Sequence, residues 1–183
     1  MTLSLLKKLH ETLPESGIGH FTMDHVDFLQ KVLEDVKPKT IWEFGFNTGH
    51  SSAIWLALTD AKVYAVDPST EYPTLRGALV IKENFGDRFS FLNVSSRHPS
   101  IEIDMTNNMP DLLLVDGDHS YAGCEADLKL AARFKVKHII IDNLEDEINV
   151  GPATLDFLNE NLEYEMVSEG YARNIISGYI KRK

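Results

Sequence analysis

Residues 40–58, TIWEFGFNTGHSSAIWLAL, contain a short apolar run, a turn with two glycines and a second apolar run. The first run, Thr40–Phe46, has the length of a β-strand. The second run, Ser51–Leu58, follows a glycine and opens with hydroxyl side chains that can cap a helix. A strand, a glycine turn and a helix in this order predict the beginning of a strand–helix–strand unit.

Similar apolar runs recur at intervals of roughly 22 to 26 residues, which leaves room for one helix between consecutive strands. They are largely continuous in apolar character, which is typical of parallel strands that are covered on both faces. The sequence therefore predicts an α/β fold with a parallel sheet. The further strands are Lys62–Asp67, Arg88–Val94, Asp111–Asp116 and Lys137–Asp142.

The remaining segments predict helices between the strands and a different pattern at the end of the chain. We expect the last two strands to form an antiparallel edge around a turn at Glu169-Gly170-Tyr171, which gives seven strands. We expect one domain, 1–183, with a helical cap at 1–38 and a core at 39–183. The expected helices are Met23–Val36, Thr74–Asn84, Ser120–Phe134 and one from Pro152 to about Asn161, and the last strands are Glu163–Glu169 and Asn174–Lys181.

Composition and charge exclude several classes of partner. The chain has 18 Lys and Arg against 28 Asp and Glu, a formal net charge of −10. This balance argues against binding to nucleic acid or to an anionic membrane, because both require a positive surface. No apolar run approaches the roughly 20 residues of a membrane-spanning helix. The N-terminus lacks the long apolar stretch of a secretory signal, and Cys124 is the single cysteine, so we expect a cytoplasmic protein.

Polar side chains follow each of the five predicted parallel strands. In an open α/β sheet, ligands bind outside the carboxyl ends of the strands, so these side chains predict one site at that edge. The strand ends supply Glu43, Gly45, Asn47 and Gly49, then Asp67, then Asn93, Ser95 and Ser96, then Asp116, Asp118 and His119, and finally Asp142 and Asn143.

The first turn indicates which ligand is expected. Gly45 and Gly49 permit a tight turn whose backbone N–H groups approach a ligand at a helix N-terminus. Asn47 stands where the dinucleotide fingerprint has its middle glycine, so a pyrophosphate site is not expected. Asp67 is placed to accept hydrogen bonds from a ribose diol. Together these features favour S-adenosylmethionine (SAM). In the alternative interpretation, the glycines only form the turn and Asp67 caps the turn at Pro68.

Three segments carry a family resemblance: EFGFNTGHSS, VYAVDPS and DLLLVDGDHSYAGCEADLKL. They resemble the class I SAM-dependent methyltransferases and, within them, the bacterial O-methyltransferases of the methyltransferase 24 type, which are related to catechol O-methyltransferase. The resemblance covers about residues 20–143. It implies a Rossmann-like, doubly wound sheet of seven strands in the order 3-2-1-4-5-7-6, with strand seven antiparallel, in a three-layer sandwich. It also implies methyl transfer from SAM to a hydroxyl oxygen of a small molecule.

The same resemblance implies site residues. In catechol-type enzymes an Asp after strand four and an Asp-Asn pair after strand five hold Mg²⁺, and these positions fall on Asp116, Asp142 and Asn143. Their hard oxygen atoms suit a magnesium ion or another divalent cation. Alternatively, Asp142 and Asn143 only cap a turn and Asp116 binds only the cofactor. The implied cofactor-binding residues are Glu43, Gly45, Phe46, Asn47, Gly49, Ser51, Asp67, Ser95, Ser96 and Asp116.

His119 is the candidate catalytic base. The catechol enzyme has a lysine at this position, and a histidine with a pKa near neutrality also suits proton removal from a hydroxyl group. In the alternative, His119 only satisfies a backbone carbonyl. Two rival functions remain: a nicotinamide-dependent reductase, which lacks its fingerprint here, and a non-catalytic or metal-independent SAM-binding protein. The segment before Met23 is short, which leaves the site open or completed by a second subunit, so a homodimer is expected.

Overall fold

The computed structural model describes residues 3–15, 22–172 and 174–183, in which one sheet contains seven strands. The strand order is β3-β2-β1-β4-β5-β7-β6. Strands β1 to β5 are parallel, whereas β7 pairs antiparallel with β5 and β6. The predicted order and the antiparallel seventh strand are therefore confirmed. The strands are β1 (Thr40–Phe44), β2 (Lys62–Val66), β3 (Phe89–Leu92), β4 (Leu112–Val115), β5 (His138–Ile141), β6 (Tyr164–Ala172) and β7 (Ile175–Arg182).

Helices cover both faces of the sheet and complete the three layers. The first four helices share one apolar cluster, and the last three share the other. No helix in the described ranges is long and apolar enough to cross a bilayer. The helices are α1 (Leu3–Thr12), α2 (Val26–Val36), α3 (His50–Leu58), α4 (Tyr72–Phe85), α5 (Pro99–Asn107), α6 (Tyr121–Arg133) and α7 (Val150–Glu160), with 3₁₀ turns at Met23–His25 and Gly86–Arg88.

Alternate residues of the central strands enter opposite clusters. Ile41 of β1 packs in the cluster with α1 to α4, whereas Trp42 packs in the cluster with α5 to α7. Leu114 and Leu113 of β4 divide in the same way. Because side chains alternate across a strand, a strand that is covered on both faces is apolar at most of its positions. This burial explains the continuous apolar runs, and the parallel pairing of β1 to β5 places the carboxyl ends of these strands at one edge.

The turn predicted at residues 169–171 is wrong. Strand β6 continues to Ala172, and Gly170 pairs with Ser177 of β7 inside the hairpin. A Cβ atom at position 170 would overlap the side chain of Phe28 from α2. The glycine therefore makes room for a helix that crosses the strand, and a sequence pattern does not distinguish this use from a turn.

The sequence analysis named no bounds for two helices, α1 in the predicted helical cap and α5 between β3 and β4. Helix α1 buries Leu6 and Leu9, which lie one helical turn apart. Helix α5 begins at Pro99 behind His98, whose side chain accepts a hydrogen bond from the backbone N–H of Ser100. Its buried side chains are Ile101 and Met105, too few for a clear amphipathic pattern.

Candidate active site

A cavity of about 730 Å³ lies at the carboxyl edge of the parallel strands. Loops that follow all five parallel strands contribute to its wall. Of the predicted site residues, it brings together Gly45, Phe46, Asn47, Ser51, Asp67, Ser95, Ser96, Asp116, His119, Asp142 and Asn143. Glu43 and Gly49 are not among the residues that line the wall.

The turn after β1 requires both of its glycines. Gly45 and Gly49 have φ angles of 94° and 90°, in the left-handed region that other residues rarely adopt. A Cβ atom at Gly45 would overlap the backbone carbonyl oxygen of Asp116, because the end of β1 passes close to the end of β4. A Cβ atom at Gly49 would lie 2.6 Å from the ring of Phe46. Gly49 therefore shapes the turn from outside the cavity wall.

Glu43 holds this turn from below. Its side chain is 0% exposed and accepts hydrogen bonds from the hydroxyl groups of Ser51 and Ser52, the latter at 2.7 Å. Burial raises the pKa of Glu43 to about 8, although the two hydroxyl donors oppose this shift. Glu43 thus connects the end of β1 to the first turn of α3, and Ser52 was not predicted as part of this arrangement.

Asp67 connects the end of β2 to the same turn. One carboxylate oxygen accepts hydrogen bonds from the backbone N–H groups of Phe46, at 3.0 Å, and Asn47, at 2.8 Å. The other accepts from the N–H of Ser69 at 2.8 Å, which is the capping role of the alternative interpretation. A carboxylate has about four acceptor positions, so Asp67 keeps capacity for a ligand hydroxyl group.

His119 and Asp116 follow β4 and form a pair that lines the same cavity. The Nε2 atom of His119 lies 3.0 Å from an oxygen of Asp116. The hydrogen bond with Asp116 raises the pKa of His119, and the negative charge of Asp116 adds to this effect. Burial raises the pKa of Asp116, whereas the interaction with His119 opposes that shift. A carboxylate thus orients the imidazole ring at the cavity, as in catalytic dyads.

Residues 42–141 match the model of a family described as a methyltransferase domain, which is more than half of the chain. The chain belongs to this methyltransferase family. The match includes the turn after β1, Asp67 and the Asp116–His119 pair, and it confirms the resemblance to the class I methyltransferases. No curated protein matches the methyltransferase in sequence.

Solved structures share the fold of the methyltransferase at low sequence identity. An O-methyltransferase from Bacillus cereus, in complex with SAH (S-adenosylhomocysteine), has a TM-score of 0.70 at 15% identity, over 100% of this chain and 92% of that chain. The SAH-bound methyltransferase PaMTH1 of Podospora anserina has a TM-score of 0.73 at 16% identity, over 99% and 87%. A ribosomal protein methylase from Lactobacillus delbrueckii subsp. bulgaricus has a TM-score of 0.62 at 18% identity, over 91% and 81%.

The predicted metal ligands of the methyltransferase have other partners. The Oδ1 atom of Asp142 accepts a hydrogen bond from the hydroxyl group of Ser177, and the side chain is 6% exposed. Burial and the charge of Asp116 raise the pKa of Asp142 to about 8, which favours its neutral form. Asn143 donates from Nδ2 to Glu145 at 3.2 Å.

These contacts do not fit a magnesium site. Mg²⁺ prefers several oxygen ligands in nearly octahedral geometry, whereas Asp142 accepts a hydrogen bond from Ser177 and Asp116 pairs with His119. Within residues 3–15, 22–172 and 174–183, no three His, Cys, Asp or Glu side chains are placed to hold a metal ion. The described residues therefore do not support the predicted divalent cation.

The sequence analysis gave no specific role to Arg97 or Asp118, although both residues line the cavity of the methyltransferase. Arg97, after β3, forms an ion pair with Asp118, after β4, at 2.8 Å. Asp118 was noted only as one of the polar residues that follow the strands, and no recognised motif includes Arg97. Ser177 was also missed, because it lies on β7, far from Asp142 in the chain.

Proposed function

We propose that this methyltransferase transfers the methyl group of SAM to a hydroxyl oxygen of a small molecule and that His119 accepts the proton. The observation that carries the proposal is the position of the His119–Asp116 pair, which lines the same cavity as Asp67 and the glycine turn. A proton acceptor and a nucleoside-binding turn in one cavity are the parts that this reaction needs.

The cofactor half of the cavity, which we define as residues 45–47, 50, 51, 67–69 and 95–97, would hold SAM. Asp67 would accept hydrogen bonds from the ribose hydroxyl groups, while the backbone at residues 45–47 approaches the ligand. The positive end of α3 would face the carboxylate of the amino-acid part. The presence of SAH in the Bacillus cereus and Podospora anserina structures supports this choice of cofactor.

The acceptor half of the cavity, which we define as Asp116, His119, Asp142, Asn143 and Ile175, would hold the hydroxyl compound. The acceptor oxygen attacks the methyl carbon of SAM, the carbon–sulfur bond breaks and its electron pair remains on sulfur, which gives SAH. The hydroxyl proton moves to His119, whose charged form Asp116 stabilises. No step of this mechanism uses a metal ion.

Two observations together support a hydroxyl compound as the methyl acceptor: the His119–Asp116 pair and the solved structures that share the fold. The Bacillus cereus relative is an O-methyltransferase, whereas a ribosomal protein methylase shares the same fold, so the fold alone does not identify the acceptor. Methyl transfer to a hydroxyl oxygen requires that the hydroxyl proton be removed, and the neutral form of His119 can accept this proton.

The remaining predictions concern partners, organisation and location. We propose a small-molecule acceptor and no nucleic-acid or membrane partner, since the formal net charge is −10 and the candidate site is a cavity. A single domain, a homodimer and a cytoplasmic location remain predictions from the sequence.

Thermal unfolding with added ligands tests the proposed function. A ligand that binds the folded state raises Tm by mass action, so we expect SAM and SAH, but not NADH, to raise it. The second step is to measure SAH release with a panel of small hydroxyl compounds. A rise with NADH alone would favour the reductase, and SAM binding without turnover on any acceptor would favour a non-catalytic SAM-binding protein.

A further inference from the structure

Asn143 follows β5 and lines the acceptor half of the cavity. Its backbone has a φ of 63°, in the left-handed region that asparagine adopts more readily than most residues. Its carbonyl oxygen accepts a hydrogen bond from the backbone N–H of Asp146 at 3.0 Å, which closes a tight turn. The proposed mechanism gives the Asn143 side chain no role, although it lines the same half of the cavity as His119.

Glu145 determines which end of the Asn143 amide is available to a ligand. Oε1 of Glu145 accepts a hydrogen bond from Nδ2 of Asn143 at 3.2 Å. A carboxylate only accepts hydrogen bonds, so the NH₂ end of the amide must face it. Within residues 3–15, 22–172 and 174–183, Oδ1 of Asn143 accepts no hydrogen bond. The oxygen end of the amide therefore remains for a ligand in the cavity.

Strand β7 holds the carboxylate of Glu145 in place. Its second oxygen, Oε2, accepts a hydrogen bond from the backbone N–H of Ile176 at 2.7 Å. The backbone N–H of Leu144 donates to the carbonyl oxygen of Ile176 at 2.9 Å. These bonds join the loop after β5 to the start of β7, beside Ile175, which also lines the acceptor half. Because both oxygens of Glu145 are engaged, its carboxylate cannot turn without losing a contact.

The charges near the acceptor half favour a ligand that donates hydrogen bonds. Asp116 and Asp142 line this half, and Glu145 and Asp146 lie in the loop that follows Asn143. None of the described residues that line the acceptor half is Lys or Arg. Oxygen atoms of this kind bind O–H and N–H groups, and carboxylates repel an anionic group.

We propose that Asn143 selects acceptors that carry an N–H or O–H group next to the reactive hydroxyl, and that Glu145 positions its amide for this contact. Oδ1 of Asn143 accepts a hydrogen bond from the neighbouring group, while His119 accepts the proton of the reactive hydroxyl. The inference rests on the proposed methyl transfer and adds the class of acceptor: amino alcohols, aminophenols and diols, but neither hydroxy acids nor hydroxy ethers. Asn143 is a binding residue, and Glu145 is a positioning residue that acts through it.

The affinities of four small phenols test this selection. Beside the hydroxyl group, o-aminophenol and o-dihydroxybenzene place a donor, o-methoxyphenol places only an acceptor, and phenol places neither. Ligand-observed NMR titrations of the full chain with saturating SAH measure the four Kd values, including weak ones. We expect the better of the two donors to bind about tenfold more tightly than o-methoxyphenol, which is the effect of one well-formed hydrogen bond. The tighter of the two donors identifies the neighbouring group as an amine or a hydroxyl, and either order supports the proposal.

Glu145→Gln should reverse the preference. The glutamine must keep its oxygen for the backbone N–H of Ile176, so its NH₂ group faces Asn143. The Asn143 amide then turns its oxygen toward the glutamine and its NH₂ group toward the cavity. In this variant o-methoxyphenol should bind about threefold more tightly than o-aminophenol. If Glu145 had only a structural role, the variant would weaken all four ligands together and leave their ratios unchanged.

Asn143→Gly removes the amide at a position where glycine accepts the φ of 63°. The o-methoxyphenol to o-aminophenol ratio of Kd values should fall to about one. Glu147→Gln is the matched control, because Glu147 is exposed in the same loop and this change removes the same charge. It should leave the ratio at its wild-type value, and thermal unfolding should show that every variant folds.

The outcomes distinguish the selection from the function beneath it. If the wild-type chain does not bind SAH, the proposed function is wrong and the selection by Asn143 fails with it. If the chain binds SAH but binds the four phenols equally, or binds none of them, only the selection is wrong. A ratio that survives in Asn143→Gly, or unchanged ratios in Glu145→Gln, would also overturn the selection.

Discussion

The two halves of the cavity are held in place by different kinds of contact. In the cofactor half, the supporting contacts are local: Glu43 accepts from serines eight and nine residues away, and Asp67 from backbone groups 20 and 21 residues away. In the acceptor half the His119–Asp116 pair is also local, but Ser177 lies 35 residues from Asp142, and the carboxylate of Glu145 accepts from Ile176, 31 residues away. A motif therefore describes the cofactor half well, whereas the tertiary structure decides the chemistry of the acceptor half.

The largest effect is expected from a substitution that disrupts the turn in the cofactor half. Gly45→Ala adds a Cβ atom that overlaps the carbonyl oxygen of Asp116 at a φ of 94°, so the turn must move. We expect a loss of about 3 kcal/mol or more in the free energy of unfolding, together with loss of SAH binding. Chemical denaturation and calorimetry measure these two quantities.

Gly86→Ala is the matched control for this substitution. Gly86 has a φ of 56°, and a Cβ atom there meets nothing within 4 Å. Its cost should be only that of the backbone conformation, about 1 to 3 kcal/mol, without an effect on SAH affinity. Equal losses in the two variants would show that the crowding against Asp116 is unimportant.

The second effect separates the two halves. His119→Ala should lower turnover by about 10²- to 10⁴-fold and leave SAH affinity within about twofold, because the base acts on the acceptor. His138→Gln serves as a control, since His138 begins β5 at the opposite end of the strand. Unchanged turnover in His119→Ala would remove the proposed base, and a parallel loss of SAH affinity would place His119 in the cofactor half.

The third effect concerns pH and stability. Burial raises the pKa of Glu43 from 4.5 to about 8 in the folded chain, so the folded state binds more protons than the unfolded state between these values. The stabilising contribution of the protonated Glu43 is therefore present at acid pH and is lost as the pH rises toward 8. Glu43→Gln should flatten the decline of the unfolding free energy between pH 5 and pH 8, by at most about 4 kcal/mol. An equally steep decline in the variant would show that Glu43 is not the group responsible.

The smallest expected effect is in the acceptor half. Asp142 favours its neutral form and accepts a hydrogen bond from Ser177, so Asp142→Asn replaces it with a neutral group of similar shape. We expect turnover to remain within about fivefold of the wild type, whereas the loss of a metal ligand typically costs far more. Steady-state rates with and without added Mg²⁺ make this measurement, and a loss that depends on Mg²⁺ would restore the metal prediction.

The sequence predicted the fold well because the signals for it are local. Apolar runs that are covered on both faces and the glycine turn after β1 determined the sheet, and the family resemblance added its strand order. The errors have specific causes. Gly170 resembles a turn residue, but it makes room for Phe28, and α5 buries too few side chains to produce an apolar pattern.

The site was predictable to a different degree in its two halves. The positions of Asp67, Asp116 and His119 at strand ends follow from the topology of the sheet. The partner of Asp142 does not, because Ser177 meets it only after the β5–β7 pairing has formed. A sequence motif predicts which residue types occupy the site. The contacts that each side chain makes in the folded protein determine its chemical role.

The rate of SAH formation across pH, measured in wild-type enzyme with EDTA and with added Mg²⁺, tests the proposed proton transfer most directly. With His119 as the base, the rate should rise with pH through the raised pKa of His119 and then level off. The two profiles should coincide. A rate that EDTA abolishes and Mg²⁺ restores would contradict a transfer without a metal ion. A rate that does not change with pH would contradict the role of His119 as the base.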